Sequence, residues 1–494
     1  MRKNCCTGVI HILAAFLTAL FIVPCAQAEV SYSNGTFTGD GEYTADVEAG
    51  SSNLTATPTT GKSMTLSGDI TTTGAFQHSS LNNSNDTLIL SGDTNSFGSF
   101  SISGHATTAI EGKLEVTGQF GVGSAQTSTV VIRGESASLT VGGNFYVGQA
   151  RNAQGIVNQQ NGTVSLNTSA GTGIRIGHWT NSAIYPSKYN LSGGELNIPN
   201  TKIYVGWDAY GELNITGGTA NLYGIQLNHN TNTNGVLTLR GGTLNLGAGN
   251  VYKTHSNHSI LLGQGTISLL DSATSTEWGG GLTVTLDGRS TESTADDSSG
   301  YTKFHVTNTT NVENDTVEQR FIYLRSVLTG VGGIYKTGDG TLVLDGDGTL
   351  ANYLGTITAK EGVVTISKAL PTSEERTVPF VVIDGGTVNF TAAGATFSSP
   401  EATPWTFAQG GGTLTFTGNI HPLKSTSQTI KVNGVDTVDD TNPPGVSVIT
   451  GNYNTNGSHL TLDVGANREL NYTGTFYQNN VSDGAYSPNL TKTG

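Results

Sequence analysis

The chain has 494 residues, of which 67 are Gly and only 12% are charged, with a formal net charge of −14. Gly stands at about twice and charge at about half the usual share. So few charges exclude a disordered solvating chain, low Pro without a Gly-X-Y period excludes a collagen-like one, and the acidic balance argues against nucleic acid as a partner.

Residues 1–28 read as a secretory signal peptide. Arg2 and Lys3 supply the charged start, Val9 to Val23 the apolar stretch, and Ala26-Gln27-Ala28 an A-x-A cleavage site. The apolar run is shorter than the ~20 residues that a membrane-spanning helix needs. Cys5, Cys6 and Cys25 all lie inside it. The exported chain is therefore expected to be stabilised by repetitive packing and not by disulfides.

Residues 29–115 are expected to form an N-terminal solenoid or cap region, and 116–270 the regular coils. Gly-Gly pairs stand at 193–194, 217–218 and 241–242, a period of 24 residues, and the flanking segments superpose without gaps. Leu191, Ile215 and Leu239 fall in register, as do Ile198, Leu222 and Leu246. A second element, an apolar pair closed by Gly, recurs at Phe120-Gly121-Val122-Gly123, Tyr146-Val147-Gly148, Ile174-Arg175-Ile176-Gly177 and Tyr204-Val205-Gly206. Apolar residues alternate with the period of two that marks strands. A 24-residue unit holds about three short strands and cannot bury its own apolar face, so units must stack. The fold expected is all-β, a right-handed parallel β-helix (β-solenoid) with coils of ~24 residues. At ~4.8 Å per coil the chain would make about 19 coils, a rod of roughly 90 Å. Asn197, Asn221 and Asn245, at one phase of the repeat, predict a ladder of stacked amides.

Residues 271–320 are polar and loop-rich, with long loops expected at Asp287 to Lys303 and Thr307 to Gln319 on either side of a strand near Phe304. Residues 321–366 form a distinct repeat, and 367–494 an irregular solenoid with a loop at Asp439 to Gly445 around Pro443-Pro444.

The segment Gly332-Gly333-Ile334-Tyr335-Lys336-Thr337-Gly338-Asp339-Gly340-Thr341-Leu342-Val343-Leu344-Asp345-Gly346, continued by Asn352-Tyr353-Leu354-Gly355-Thr356-Ile357 and Gly362-Val363-Val364-Thr365-Ile366, resembles the autotransporter-associated β-strand repeat. It departs from that pattern where Asp347-Gly348-Thr349-Leu350-Ala351 replaces a short link. Asn489-Leu490-Thr491-Lys492-Thr493-Gly494 echoes the start of a second copy. The resemblance implies the passenger β-helix of an exported protein, carried by a C-terminal outer-membrane barrel. The last hundred residues lack the series of amphipathic strands a barrel requires, and the second copy is cut off at Gly494, so the sequence is expected to be part of a longer protein, the alternative being a complete secreted protein without its own translocator. Lys336, in a Gly-bounded turn, is expected at a solvated corner.

No catalytic, cofactor-binding or metal-binding residue is assigned. Trp179, Trp207, Tyr185, Tyr189, Tyr204, Tyr210 and Tyr223 gather on one stretch; they either grip sugar rings or stack between coils, and stacking is favoured. Asp208 and Glu212 share a loop but have no third group opposite them, Gly177-His178-Trp179 is not a catalytic G-H-G, and Asp296-Asp297 sits in a polar loop. His255 and His258 lack the further ligands of a zinc site, and Gly338-Asp339-Gly340 and Asp345-Gly346-Asp347-Gly348 fit no calcium loop. The expected function is that of an exported, non-enzymatic cell-surface protein, adhesin-like or a structural spacer. Its expected partners are surface polysaccharide or cell-surface ligands. The alternative is a secreted β-helix polysaccharide lyase or glycoside hydrolase.

Overall fold

The computed structural model describes residues 30–80, 85–150, 153–166, 173–179, 185–288, 300–311, 315–350, 352–368, 379–391, 396–397, 405–422, 428–434, 445–454, 460–477 and 490–493. Residues 1–29, expected to hold the signal peptide and containing the three Cys, lie outside them, as do Asp296-Asp297 and Pro443-Pro444. Every regular element among the described residues is a strand, and the coils pair in parallel to form a β-solenoid.

One coil shows how the sequence makes the turn. Gly211–Ile215 forms the first side, Thr219–Leu227 bends to supply the second and third, and Gly235–Leu239 begins the next coil. Leu213 pairs with Leu237 and Ile215 with Leu239, while Ala220 and Leu222 pair with Leu244 and Leu246. First sides build a 13-stranded ladder; second and third sides merge into one larger sheet through strands that round the corner. The Gly pairs serve these corners. A Cβ on Gly217 would lie 2.2 Å from the Ser192 carbonyl oxygen of the coil below, so backbone contact alone demands Gly there. Gly218 adds a φ of +68°, which L residues avoid.

The core is one continuous apolar column from Val30 to Leu460. Its N-terminal part is a ladder of rings. Phe76 stacks on Phe97 at 4.4 Å, Phe100 on Phe120 at 5.2 Å, and Phe120 meets Phe145 edge-on at 4.8 Å. Aliphatic side chains predominate from Leu191, and aromatic contact returns where Phe390 meets Trp405 at 4.5 Å. Identical neighbours one coil apart bury each other, which no single coil achieves.

Eighteen strands, from Val47–Glu48 to Leu490–Thr493, pair each with the next in parallel, so the described coils number about 18, near the 19 expected, over a length of roughly 85 Å. Insertions lengthen individual coils: Tyr189 pairs with Val157, and Leu328 with Val284, across far more than 24 residues. Within the segment expected as the loop Thr307 to Gln319, Thr309–Asn311 and Thr316–Glu318 pair as a short antiparallel hairpin.

Lys336 is not a solvated corner. Its strand, Ile334–Thr337, pairs with Thr302–His305 so that Lys336 faces Phe304, and both side chains are fully buried. The ammonium donates to the carbonyl oxygens of Thr337 (2.8 Å), Gly338 (2.7 Å) and Glu361 (3.3 Å). The turn needs a donor on its inner side, and a long stem from the core face supplies it. Tyr353 works likewise, its buried hydroxyl donating to Gly332 and Thr356 carbonyls at 2.9 and 3.0 Å. In the departing link, the Thr349 hydroxyl donates to the Gly346 carbonyl and Leu350 is buried, so the longer turn is internally tied.

Candidate binding face

The third side of each coil is a short strand that ends on a residue with positive φ. Alternation buries Phe145 and Val147, Ile174 and Ile176, Ile203 and Val205, and Ile225 and Leu227. The residues between them therefore point outward and pair in sequence: Gly121, Tyr146, Arg175, Tyr204, Gln226 and Tyr252. The chain then turns on Gly148, Gly177, Gly206 or Asn228. The next residues, Gln149, His178, Trp207 and His229, stand in a second column beside the first.

The two columns interlock through their rings. Tyr146 lies 4.3 Å from the His178 ring, and the Arg175 guanidinium sits 4.2 Å from Trp207 and 5.6 Å from Tyr146. Trp207 stacks on His229 at 3.6 Å with an interplanar angle of 4°, and Tyr204 meets Trp207 edge-on at 4.7 Å. Arg175 belongs to the coil before Trp207 and His229 to the coil after. Trp207 is thus covered by neighbours along the axis. Stacking between coils, not an open sugar platform, is its role.

Beyond Trp207 the polar groups close on one another. The Tyr252 hydroxyl donates to Gln226 Oε1 (2.7 Å); Gln226 Nε2 donates to His229 Nδ1 (3.0 Å) and to Thr254 Oγ1 (2.8 Å). Lys202 Nζ donates to the Tyr252 hydroxyl at 3.2 Å and lies 4.7 Å from its ring centre. Before Trp207 they do not close. Gln149 Oε1, Arg175 Nε and His178 Nδ1 are buried without a hydrogen-bond partner. Arg175 has no carboxylate partner among the described residues. Burial holds the His178 imidazole down to about 4, with Asp208 opposing and Arg175 assisting, so the ring is neutral at pH 7. Beside it Trp179 is 56% exposed and holds a φ of +84°, a backbone conformation that bulky residues rarely adopt.

The other aromatic candidates scatter. Tyr189 is in the core, its hydroxyl donating to Gln159 Oε1 at 2.7 Å, while Tyr185 and Tyr223 are exposed. The carboxylates considered for catalysis are engaged: Asp208 accepts from Asn230, and Glu212 pairs with Lys188 at 2.9 Å. His258 Nε2 accepts from the Thr283 amide (2.9 Å) and Nδ1 donates to the Ser256 carbonyl (2.9 Å), so both ring nitrogens are occupied. Asp339 accepts from the Asn308 amide, Asp345 pairs with Arg325 at 3.2 Å, and Asp347 with Lys368 at 2.7 Å. Among the described residues no group of three or more His, Cys, Asp or Glu converges on a metal position.

The amide ladder exists in altered form. Asn245 donates to Asn221 at 2.7 Å, but Asn221 donates to Glu195 Oε1 (2.7 Å), which stands in place of Asn197. A second ladder runs up the first side, Asn214 to Asn190 (2.9 Å) to Asn158 (2.8 Å).

No family model, no curated protein and no solved structure matches this chain.

Proposed function

We propose that this chain is the exported, non-enzymatic cell-surface rod of an autotransporter-like passenger, adhesin-like in that it presents one side of its coils to surface polysaccharide or cell-surface ligands. The observation that carries this reading is the architecture of the coils: one uninterrupted apolar column inside and ladders of amides and rings outside. Such a stack gives a stiff scaffold on which a short stretch can depart from the pattern without loss of the whole. Signal-peptide features, a cysteine-free exported part and the K-T-G-x-G-T-L segment at 336–342 support the exported setting. The engaged states of Asp208 and Glu212 weigh against the lyase or hydrolase reading, which needs carboxylates free to exchange protons.

The test is expression of the chain with its native start in a Gram-negative host, followed by fractionation and protease access on intact cells. Recovery outside the inner membrane supports the reading, and retention in the cytoplasm overturns it. Incubation of the purified protein with acidic and neutral polysaccharides tests the enzymatic alternative. Release of reducing or unsaturated ends that is lost on Asp208→Asn or Glu212→Gln would establish it.

A further inference from the structure

We infer that the face formed by Gln149, Tyr146, Arg175, His178 and Trp179 is a binding site for an acidic saccharide, a pyranose chain carrying carboxylates of the uronic-acid type. The inference deepens the adhesin-like reading and rests on it for its setting. Three features converge on these two coils. First, stability is given up here: three buried polar atoms lack partners, while the coils immediately above satisfy theirs through Gln226, His229, Thr254 and Tyr252. Unpaired buried groups and strained backbone concentrate at sites kept for something other than folding. Second, Trp179 presents an indole to solvent on a backbone that only Gly adopts without strain. A broad apolar ring face held out beside hydrogen-bonding groups suits the C–H face of a pyranose. Trp207 cannot serve in its place, since Arg175 and His229 cover it.

Third, Arg175 selects charge. In a chain of net charge −14 it is held between Tyr146 and Trp207 with no carboxylate paired to it among the described residues. Asp208 is the carboxylate felt by both His178 and His229, and it is already bonded to Asn230. A guanidinium preorganised by rings binds a planar carboxylate through parallel N–H donors, which a neutral sugar cannot match. His178, neutral and half-buried against Tyr146, leaves that choice to Arg175.

Tetragalacturonate and cellotetraose serve as acidic and neutral probes of the full chain, read by calorimetry and by quenching of tryptophan fluorescence. Tetragalacturonate is expected to bind and to quench, with cellotetraose at least tenfold weaker. Arg175→Gln should weaken the acidic probe at least tenfold while leaving circular dichroism and Tm unchanged within a few degrees. Trp179→Phe should abolish most of the quenching yet keep binding within about fivefold, and Trp179→Ala should lose both. Equal binding of the two probes, or acidic binding that survives Arg175→Gln, overturns the inference. So does a folded chain that binds neither; that result leaves the exported-rod reading standing, which only a cytoplasmic location removes.

Discussion

Lys336 stands in register with Phe304 of the preceding coil, an ammonium side chain buried with a benzyl ring inside the solenoid. Burial lowers its pKa from 10.5 to about 8, against the pull of Glu361 and Asp339. The ammonium ends at the Thr337, Gly338 and Glu361 carbonyls, so the residue both costs desolvation and satisfies a turn. Below pH 8 folded and unfolded chains both carry the proton, and the folded state bears the full cost. Between pH 8 and 10.5 the folded state releases it while the unfolded state keeps it, so stability rises with pH. Burial also pushes the Tyr189 hydroxyl upward, which opposes that rise once unfolded tyrosine ionises near pH 10. The clean window is pH 8 to 9.5, with a gain of about 2 kcal/mol. Lys336→Met should destabilise the repeat by a few kcal/mol, because it leaves turn carbonyls unpaired. The Tm gap between wild type and variant should widen from pH 7.5 to 9.5, measured by calorimetry in matched buffers.

His78 sets the acid shoulder of the same curve. It points inward between Ala56 and Ile102, with Nδ1 2.9 Å from the Thr108 hydroxyl, and burial lowers it to about 4 despite the pull of Asp86. The unfolded chain takes up a proton near pH 6.5 and the folded chain only near 4, so stability is lost progressively as pH falls through that range. The loss is on the order of 3 kcal/mol once pH reaches 4. His178 adds in the same direction. His78→Gln should flatten the Tm profile between pH 6.5 and 4, although its Tm at pH 7 should be lower. An unchanged slope would remove His78 from the account.

The amide ladders predict coupling along the axis. Asn221 lies between Asn245 and Glu195, donating to one and accepting from the other. Asn221→Ala should cost about 1–2 kcal/mol, and Asn245→Ala about 1 kcal/mol, at these half-buried positions. Since the two share a hydrogen bond, the double variant should cost less than the sum by about 0.5–1 kcal/mol. Chemical denaturation of the four proteins in the cycle measures that difference. Strict additivity would reduce the ladder to a coincidence of phase.

Fold and site were legible to different depths, for a physical reason. Alternation of Leu213, Ile215, Ala220 and Leu222, with Gly217-Gly218 between, specifies strand, corner and stack together, because burial and backbone clearance leave no other solution. The lengths of individual coils were less legible, since the insertion after Val157 leaves the register of the ladder untouched. Lys336 was misplaced because a lysine in a Gly-rich turn looks solvated until the carbonyls beneath it are counted. Tyr189 was misplaced because an aromatic counts equally as core or flank before its phase is fixed. The binding face had a signal that went unused. In Tyr146-Val147-Gly148, Ile174-Arg175-Ile176-Gly177 and Tyr204-Val205-Gly206 the residue two before Gly points outward, which places Arg175 between two tyrosines. What no periodicity foretells is that Gln149 Oε1, Arg175 Nε and His178 Nδ1 lack hydrogen-bond partners among the described residues, since it depends on side-chain contacts across coils.

Trp179 offers the sharpest separation of stability from function. Its φ of +84° costs an L residue about 1–2 kcal/mol, and at 56% exposure the indole recovers little of that by burial. Trp179→Ala removes the ring but keeps a Cβ on the strained backbone. Trp179→Gly removes both. The Gly variant should therefore be more stable than the Ala variant by about 1 kcal/mol, despite the greater unfolded-state freedom of Gly. It should equal or exceed wild type in Tm, while both variants lose tetragalacturonate binding alike. A Gly variant less stable than the Ala variant would show that the backbone at 179 bears no strain and that no stability is given up there. The stacked neighbour provides the contrast: Trp207→Ala strips Arg175 and His229 of their shared ring and should cost about 2–3 kcal/mol, so Trp207→Gly should lower Tm where Trp179→Gly, one coil away, does not.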